Sequence, residues 1–173
     1  MRSRVGLRSQ GLTSKSSAAH YRVQITFQAP LPFVYRWCTN YSTEDGRYSG
    51  EGYQRRITRR TATRVEMEDL YDTGGRWIWI HRDVRLHPPN KWHAESIGSD
   101  RALVVDYRLS RGRGDGTMLS IRASRQPFGI GRKNPPKSVW ERNVTRSWAS
   151  FARALEKDYA QFRRRGARAK RAK

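Results

Sequence analysis

Asp69 and Arg82 stand where the residues around them call for apolar side chains. Asp69 shares its strand phase with Val65, Met67 and Tyr71, and Arg82 interrupts a phase otherwise held by Ile78, Ile80, Val84 and Leu86. Residues two apart on an extended strand face the same way. A charge turned toward an apolar interior is costly unless it is paired. On one inner face this carboxylate and this guanidinium would pair with each other, or would orient the polar head of a ligand. The competing expectation is that a bulge or an edge position turns both to solvent.

Other combinations carry less chemistry. His81, Asp83 and His87 share a phase, and His93 follows on the next strand. His81 and His87 would lie about 20 Å apart in extended chain, too far to share one ion, so surface imidazoles are expected and no metal site. Cys38, beside Trp37, reads as a small buried apolar group. Gly112-Arg113-Gly114-Asp115-Gly116 is turn chemistry with no Walker lysine behind it. No nucleophile–base pair stands out, so no catalytic residue and no cofactor is assigned.

A buried pair of this kind needs a sheet with one apolar face. Tyr21, Val23, Ile25 and Phe27 alternate with polar residues and predict the first strand. Ala29-Pro30-Leu31-Pro32 ends it, and Pro32 opens a short helix to Thr39. Asn40 to Gly52 is polar and predicts a loop or a frayed helix. Strands are then expected at 55–60 (weak, with only Ile57 clearly apolar), 63–71, 77–87, 91–97, 101–109 and 117–123. Trp77 and Trp79 fall on the phase opposite Ile78 and Ile80, which would leave them as a partner site on the outer face. Ser138-Val139-Trp140-Glu141 fits a capping box. Beyond it Trp140, Val144, Trp148, Phe151, Leu155, Tyr159 and Phe162 recur at helical spacing. One antiparallel sheet and one long amphipathic helix pack most economically with the sheet wrapped round the helix, an α+β arrangement with a cavity between them.

Composition bounds the rest. The chain has 173 residues, enough for one domain with a core. Its net charge is +21, unevenly placed: residues 1–19 carry +4, residues 163–173 carry +7, and the central 143 carry +10. The ends are expected as a disordered basic leader and a disordered basic tail around a domain over 20–162. Arg163, Arg164, Arg165, Arg168, Lys170, Arg171 and Lys173 would attract nucleic acid or a ribosome without sequence preference. An organellar transit peptide is the less economical reading of residues 1–19, which show little amphipathic periodicity. A single cysteine and the lack of a roughly 18-residue apolar run fit a cytoplasmic protein with no transmembrane segment.

Phe27-Gln28-Ala29-Pro30-Leu31-Pro32-Phe33-Val34-Tyr35 with Trp37, Leu86-His87-Pro88-Pro89-Asn90-Lys91-Trp92, and the Trp-bearing last helix resemble the START/Bet v 1-like superfamily. This group, also called SRPBCC or polyketide cyclase/dehydrase-like, has a helix-grip fold. The resemblance covers about residues 20 to 162 and implies a hydrophobic-ligand pocket between sheet and helix. Asp69, Arg82, Met67, Trp92, Tyr107, Trp148, Phe151 and Leu155 are its expected binding residues. The leading expectation is noncatalytic binding or transport of a lipid, quinone or polyketide-like molecule. A cyclase or dehydratase using the same cavity is one alternative, and an RNA- or ribosome-associated factor is the other.

Overall fold

The computed structural model describes residues 18–48, 52–72, 74–128 and 133–171, with side chains to 167. Nearly all of the basic leader expected over residues 1–19 lies outside them, as does Lys173.

The elements run β1 (Ala19–Phe27), α1 (Leu31–Thr39), a 3-10 turn (Asp45–Tyr48), β2 (Tyr53–Arg60), β3 (Arg64–Asp72), β4 (Trp77–His87), β5 (Lys91–Gly98), β6 (Arg101–Arg111), β7 (Thr117–Pro127) and α2 (Lys137–Arg171). The strands form a curved antiparallel sheet in the order β1-β7-β6-β5-β4-β3-β2. Successive strands pair as hairpins from β2 to β7. β1 pairs on the far side of β7, so the segment from β1 to β2 spans from one edge of the sheet to the other. That crossing carries α1 and the 3-10 turn over one end of the concave face.

Period-two burial runs through the strands as alternation predicts. Tyr21, Val23, Ile25 and Phe27 point inward from β1, and Leu119, Ile121 and Ala123 from β7. α2 closes this face. Trp140 stacks on Tyr21 with ring centroids 4.4 Å apart, Trp148 meets Phe27 edge-on at 6.4 Å, and Leu155 is fully buried. Two carboxylates of α2 reach β1: Glu141 accepts from the Arg22 N–H at 3.2 Å and Glu156 from the Gln28 N–H at 2.8 Å. These contacts tie the helix to the edge strand as well as to the core.

Two details differ from expectation. α2 starts at Lys137, with the Pro136 carbonyl accepting from Val139 and Trp140. Ser138 therefore sits inside the first turn rather than at the cap, and Glu141 serves β1 instead of a capping box. The helix also continues past Phe162, where a mobile tail is expected, and runs to Arg171. Arg163, Arg164 and Arg165 lie exposed on it. The backbone of Arg168, Lys170 and Arg171 is helical too. The i to i−4 backbone ladder carries these polar turns.

Candidate functional site

Between the inner sheet face, α1, the 3-10 turn and α2 lies a cavity of about 370 Å³. One wall is aromatic: Trp92 and Tyr107 stack at 4.8 Å and 7°, and Trp148 and Phe151 approach from α2 with centroids 5.6 Å apart. Trp37 and Tyr48 extend this wall toward the opening, each about 6 Å from Phe151. The other wall is polar, with Tyr41, Tyr53, Arg55, Tyr71 and Arg82.

Asp69 lies beneath the polar wall with no exposed surface. Arg55 is its direct cross-strand partner, so the two side chains rise side by side from β2 and β3. Arg55 grips both carboxylate oxygens, Nε to Oδ1 at 2.7 Å and Nη2 to Oδ2 at 3.0 Å. Its remaining nitrogen, Nη1, donates to Asp45 Oδ2 at 2.7 Å. Ser42 fixes Asp45 in turn, through its N–H at 3.1 Å and its hydroxyl at 2.7 Å. Burial opposes the Arg55 charge, but the hydrogen bond and the charge of Asp69 outweigh it, so its pKa stands above the ordinary arginine value.

Arg82 is placed differently. It is paired with Met67 across β3 and β4, one diagonal step from Asp69. Its Nη2 makes a single 3.2 Å contact with Asp69 Oδ2. Its Nε is buried and finds no acceptor among the described residues. One carboxylate thus serves two guanidiniums on the same wall, and Arg82 has the smaller share of it, with its Nε unpartnered.

Trp92, Tyr107, Trp148, Phe151 and Arg82 come together on the cavity surface, while Asp69 supports Arg82 from below. Met67 and Leu155 are fully buried in the core around the cavity and are absent from its lining. Arg55, Asp45, Tyr41, Tyr53 and Tyr71 belong to the site and escaped the sequence reading. Arg55 had a signal: it shares a phase with Tyr53 and Ile57. Asp45 had none, because it arrives through a tertiary approach in which Gly46 lies against the Tyr53 carbonyl.

The lining also holds the carboxylates of Asp45 and Asp158, the latter accepting from the Trp37 indole N–H at 2.9 Å. Burial pushes the Tyr41, Tyr53, Tyr71 and Tyr107 hydroxyls and the Cys38 thiol up, away from the ionised form. No cluster of three or more metal-ligating side chains occurs among the described residues. Nor is any described helix long and apolar enough to cross a membrane.

No protein-family model and no curated protein matches this chain. Solved structures do. TTHA0849 from Thermus thermophilus superposes with a TM-score of 0.65 at 14% identity, over 83% of this chain and 98% of that one. The Zhui aromatase/cyclase from Streptomyces sp. R1128 gives 0.65 at 12%, over 83% and 94%. A START superfamily protein from Mycobacterium smegmatis gives 0.60 at 11%, over 83% and 98%. The chain has the START/Bet v 1-like, SRPBCC helix-grip fold.

Proposed function

We propose that the protein holds or carries a hydrophobic small molecule with an oxygen-bearing head, without transforming it. The observation that carries this reading is Arg82: a guanidinium on the wall of an aromatic cavity, with a buried Nε that lacks an acceptor among the described residues. A planar apolar body would lie between the Trp92–Tyr107 stack and the Trp148–Phe151 pair. Its carboxylate, enol or carbonyl oxygen would accept from Arg82, while Asp69 and Arg55 hold that side chain in place. A volume of about 370 Å³ falls within the range of small-molecule sites.

Noncatalytic binding is favoured over cyclase or dehydratase chemistry by the way the ionisable groups of the lining are engaged. Among the described residues no histidine lines the cavity, burial pushes its thiol and shifted phenols up, and its carboxylates are engaged, Asp45 by Arg55 and Ser42 and Asp158 by Trp37. Proton transfer needs a group poised near the working pH. The arginines exposed beyond Phe162 give the protein affinity for polyanions in this reading.

Mass spectrometry of organic extracts from the full chain, washed at high salt, tests the proposal. A stoichiometric apolar molecule bearing an acidic or carbonyl oxygen is expected. Protein that is consistently empty and takes up no apolar molecule would overturn it.

A further inference from the structure

The outer face of the sheet carries a second feature, separate from the cavity. Register places His87, Lys91, Arg108, Ser120 and Gln24 in one row across β4, β5, β6, β7 and β1. The next row reads Arg85, His93, Asp106, Arg122 and Arg22. The rows stand about 7 Å apart and cross the sheet for about 19 Å. Lys91 is directly opposite Arg108, and Arg122 is directly opposite Arg22.

Like charges opposite each other on a sheet are destabilising. Here they are not neutralised. Among the described residues, the side chains of Lys91, Arg108, Arg122 and Arg22 make no ion pair or hydrogen bond, and all four are exposed. Asp106, cross-strand from Arg122, and Glu95 are engaged by His93 at 2.7 and 3.2 Å, and Glu141 near Arg22 is engaged by the Arg22 backbone N–H. Three arginines elsewhere on the surface do meet carboxylates: Arg47 with Glu44, Arg56 with Glu68, Arg59 with Glu66. Lys91, Arg108 and Arg122 line a groove of about 700 Å³ with Ser110, Ser120 and His87, and its one acid among the described residues, Asp106, is the carboxylate that His93 holds.

We infer that this groove binds the phosphate backbone of a nucleic acid. A row of cations that repel one another is relieved by a row of anions, and a phosphodiester chain supplies anions at regular spacing. Serine and histidine beside the cations are donors that contact phosphate and sugar oxygens. A recess fits a strand of backbone better than it fits the plane of an anionic bilayer. The apolar outer residues that could enter a bilayer, Trp77, Trp79 and Ile97, lie at the other end of the strands. Binding here is independent of the cavity and of the helical arginines beyond Phe162.

The test uses the full chain and a labelled single-stranded oligothymidylate, with affinity followed by anisotropy across a salt series. One variant combines Lys91→Gln, Arg108→Gln and Arg122→Gln. A control combines Arg47→Gln, Arg56→Gln and Arg59→Gln, removing the same charge from carboxylate-paired positions. The groove variant should bind roughly tenfold more weakly or worse, with a salt slope shallower by about 2. The control should follow the wild type. The groove variant should also melt higher than the wild type at low salt, because repulsion is relieved. Equal losses in both variants would make net charge the cause and overturn the inference. So would unchanged slopes, which leave binding to the terminal arginines, or a lower melting temperature. Loss of binding to phosphatidylserine vesicles with oligonucleotide binding intact would assign the groove to membranes instead.

Discussion

Arg55 and Asp69 face each other across β2 and β3 with both carboxylate oxygens engaged, at 2.7 and 3.0 Å, and their side chains are 5% and 0% exposed. The ion pair is the floor on which the cavity's polar wall stands. Arg55 turns its other edge to Asp45, so all three of its nitrogens are engaged by carboxylates. Arg82 touches the same carboxylate once, at 3.2 Å, and keeps its remaining donors.

Replacing Asp69 should therefore be far worse than replacing Arg82. Asp69→Asn leaves two guanidiniums without their shared counter-charge, an expected loss of about 3–5 kcal/mol. Arg82→Met removes one long contact and an unsatisfied donor, and should cost less than about 1 kcal/mol. Urea unfolding of the two variants checks the order. Similar losses would mean that Arg82 is a structural residue and not one kept for a ligand.

Gly46 lies so close to the Tyr53 carbonyl that an added Cβ would collide with it. Gly46→Ala should push the 3-10 turn away from β2 and draw Asp45 off Arg55, at a cost of about 1–3 kcal/mol. Thermal unfolding reads the loss. An unchanged midpoint would show that the turn is not held against the strand.

His93 gives the protein a pH dependence near neutrality. Burial lowers its pKa, but the hydrogen bonds its ring N–H groups donate to Asp106 and Glu95 outweigh this and raise it above the ordinary value of 6.5. The folded state thus favours the charged imidazole. The resulting stability is complete below 6.5 and is lost as pH rises through the higher folded value. His93→Gln should flatten the stability curve in that window. A wild-type curve that climbs there would contradict the assignment.

The sheet and α2 were legible because their signals are periodic and local. Val65, Met67 and Asp69 on one strand, or Trp140 to Tyr159 on the helix, need no knowledge of partners. The inward phase of Asp69 and Arg82 was legible for the same reason, but phase alone did not separate their pairing from a bulge or edge that would turn both to solvent. Arg55 was harder, since β2 has arginines on both faces and only Ile57 to mark the inner one. Asp45 depends on where a turn lands in space, which residue spacing does not encode. Met67 and Leu155 show the converse limit. Phase puts a residue on the inner face, and packing decides whether it reaches the cavity or the core behind it.

A cavity that takes an apolar body and directs an oxygen head to Arg82 is tested most directly with two naphthalene dyes. N-phenyl-1-naphthylamine is neutral, and 8-anilinonaphthalene-1-sulfonate adds one sulfonate to the same framework. Both should fluoresce on binding the full chain, the sulfonate dye binding more tightly. Arg82→Met should weaken the sulfonate dye about tenfold, the scale of one lost charged hydrogen bond, and leave the neutral dye unchanged. Arg82→Lys should restore part of the preference. Neutral-dye binding with no preference for the sulfonate, insensitive to Arg82, would remove the head-group role and leave an apolar cavity. If neither dye binds, the cavity itself is not a ligand site.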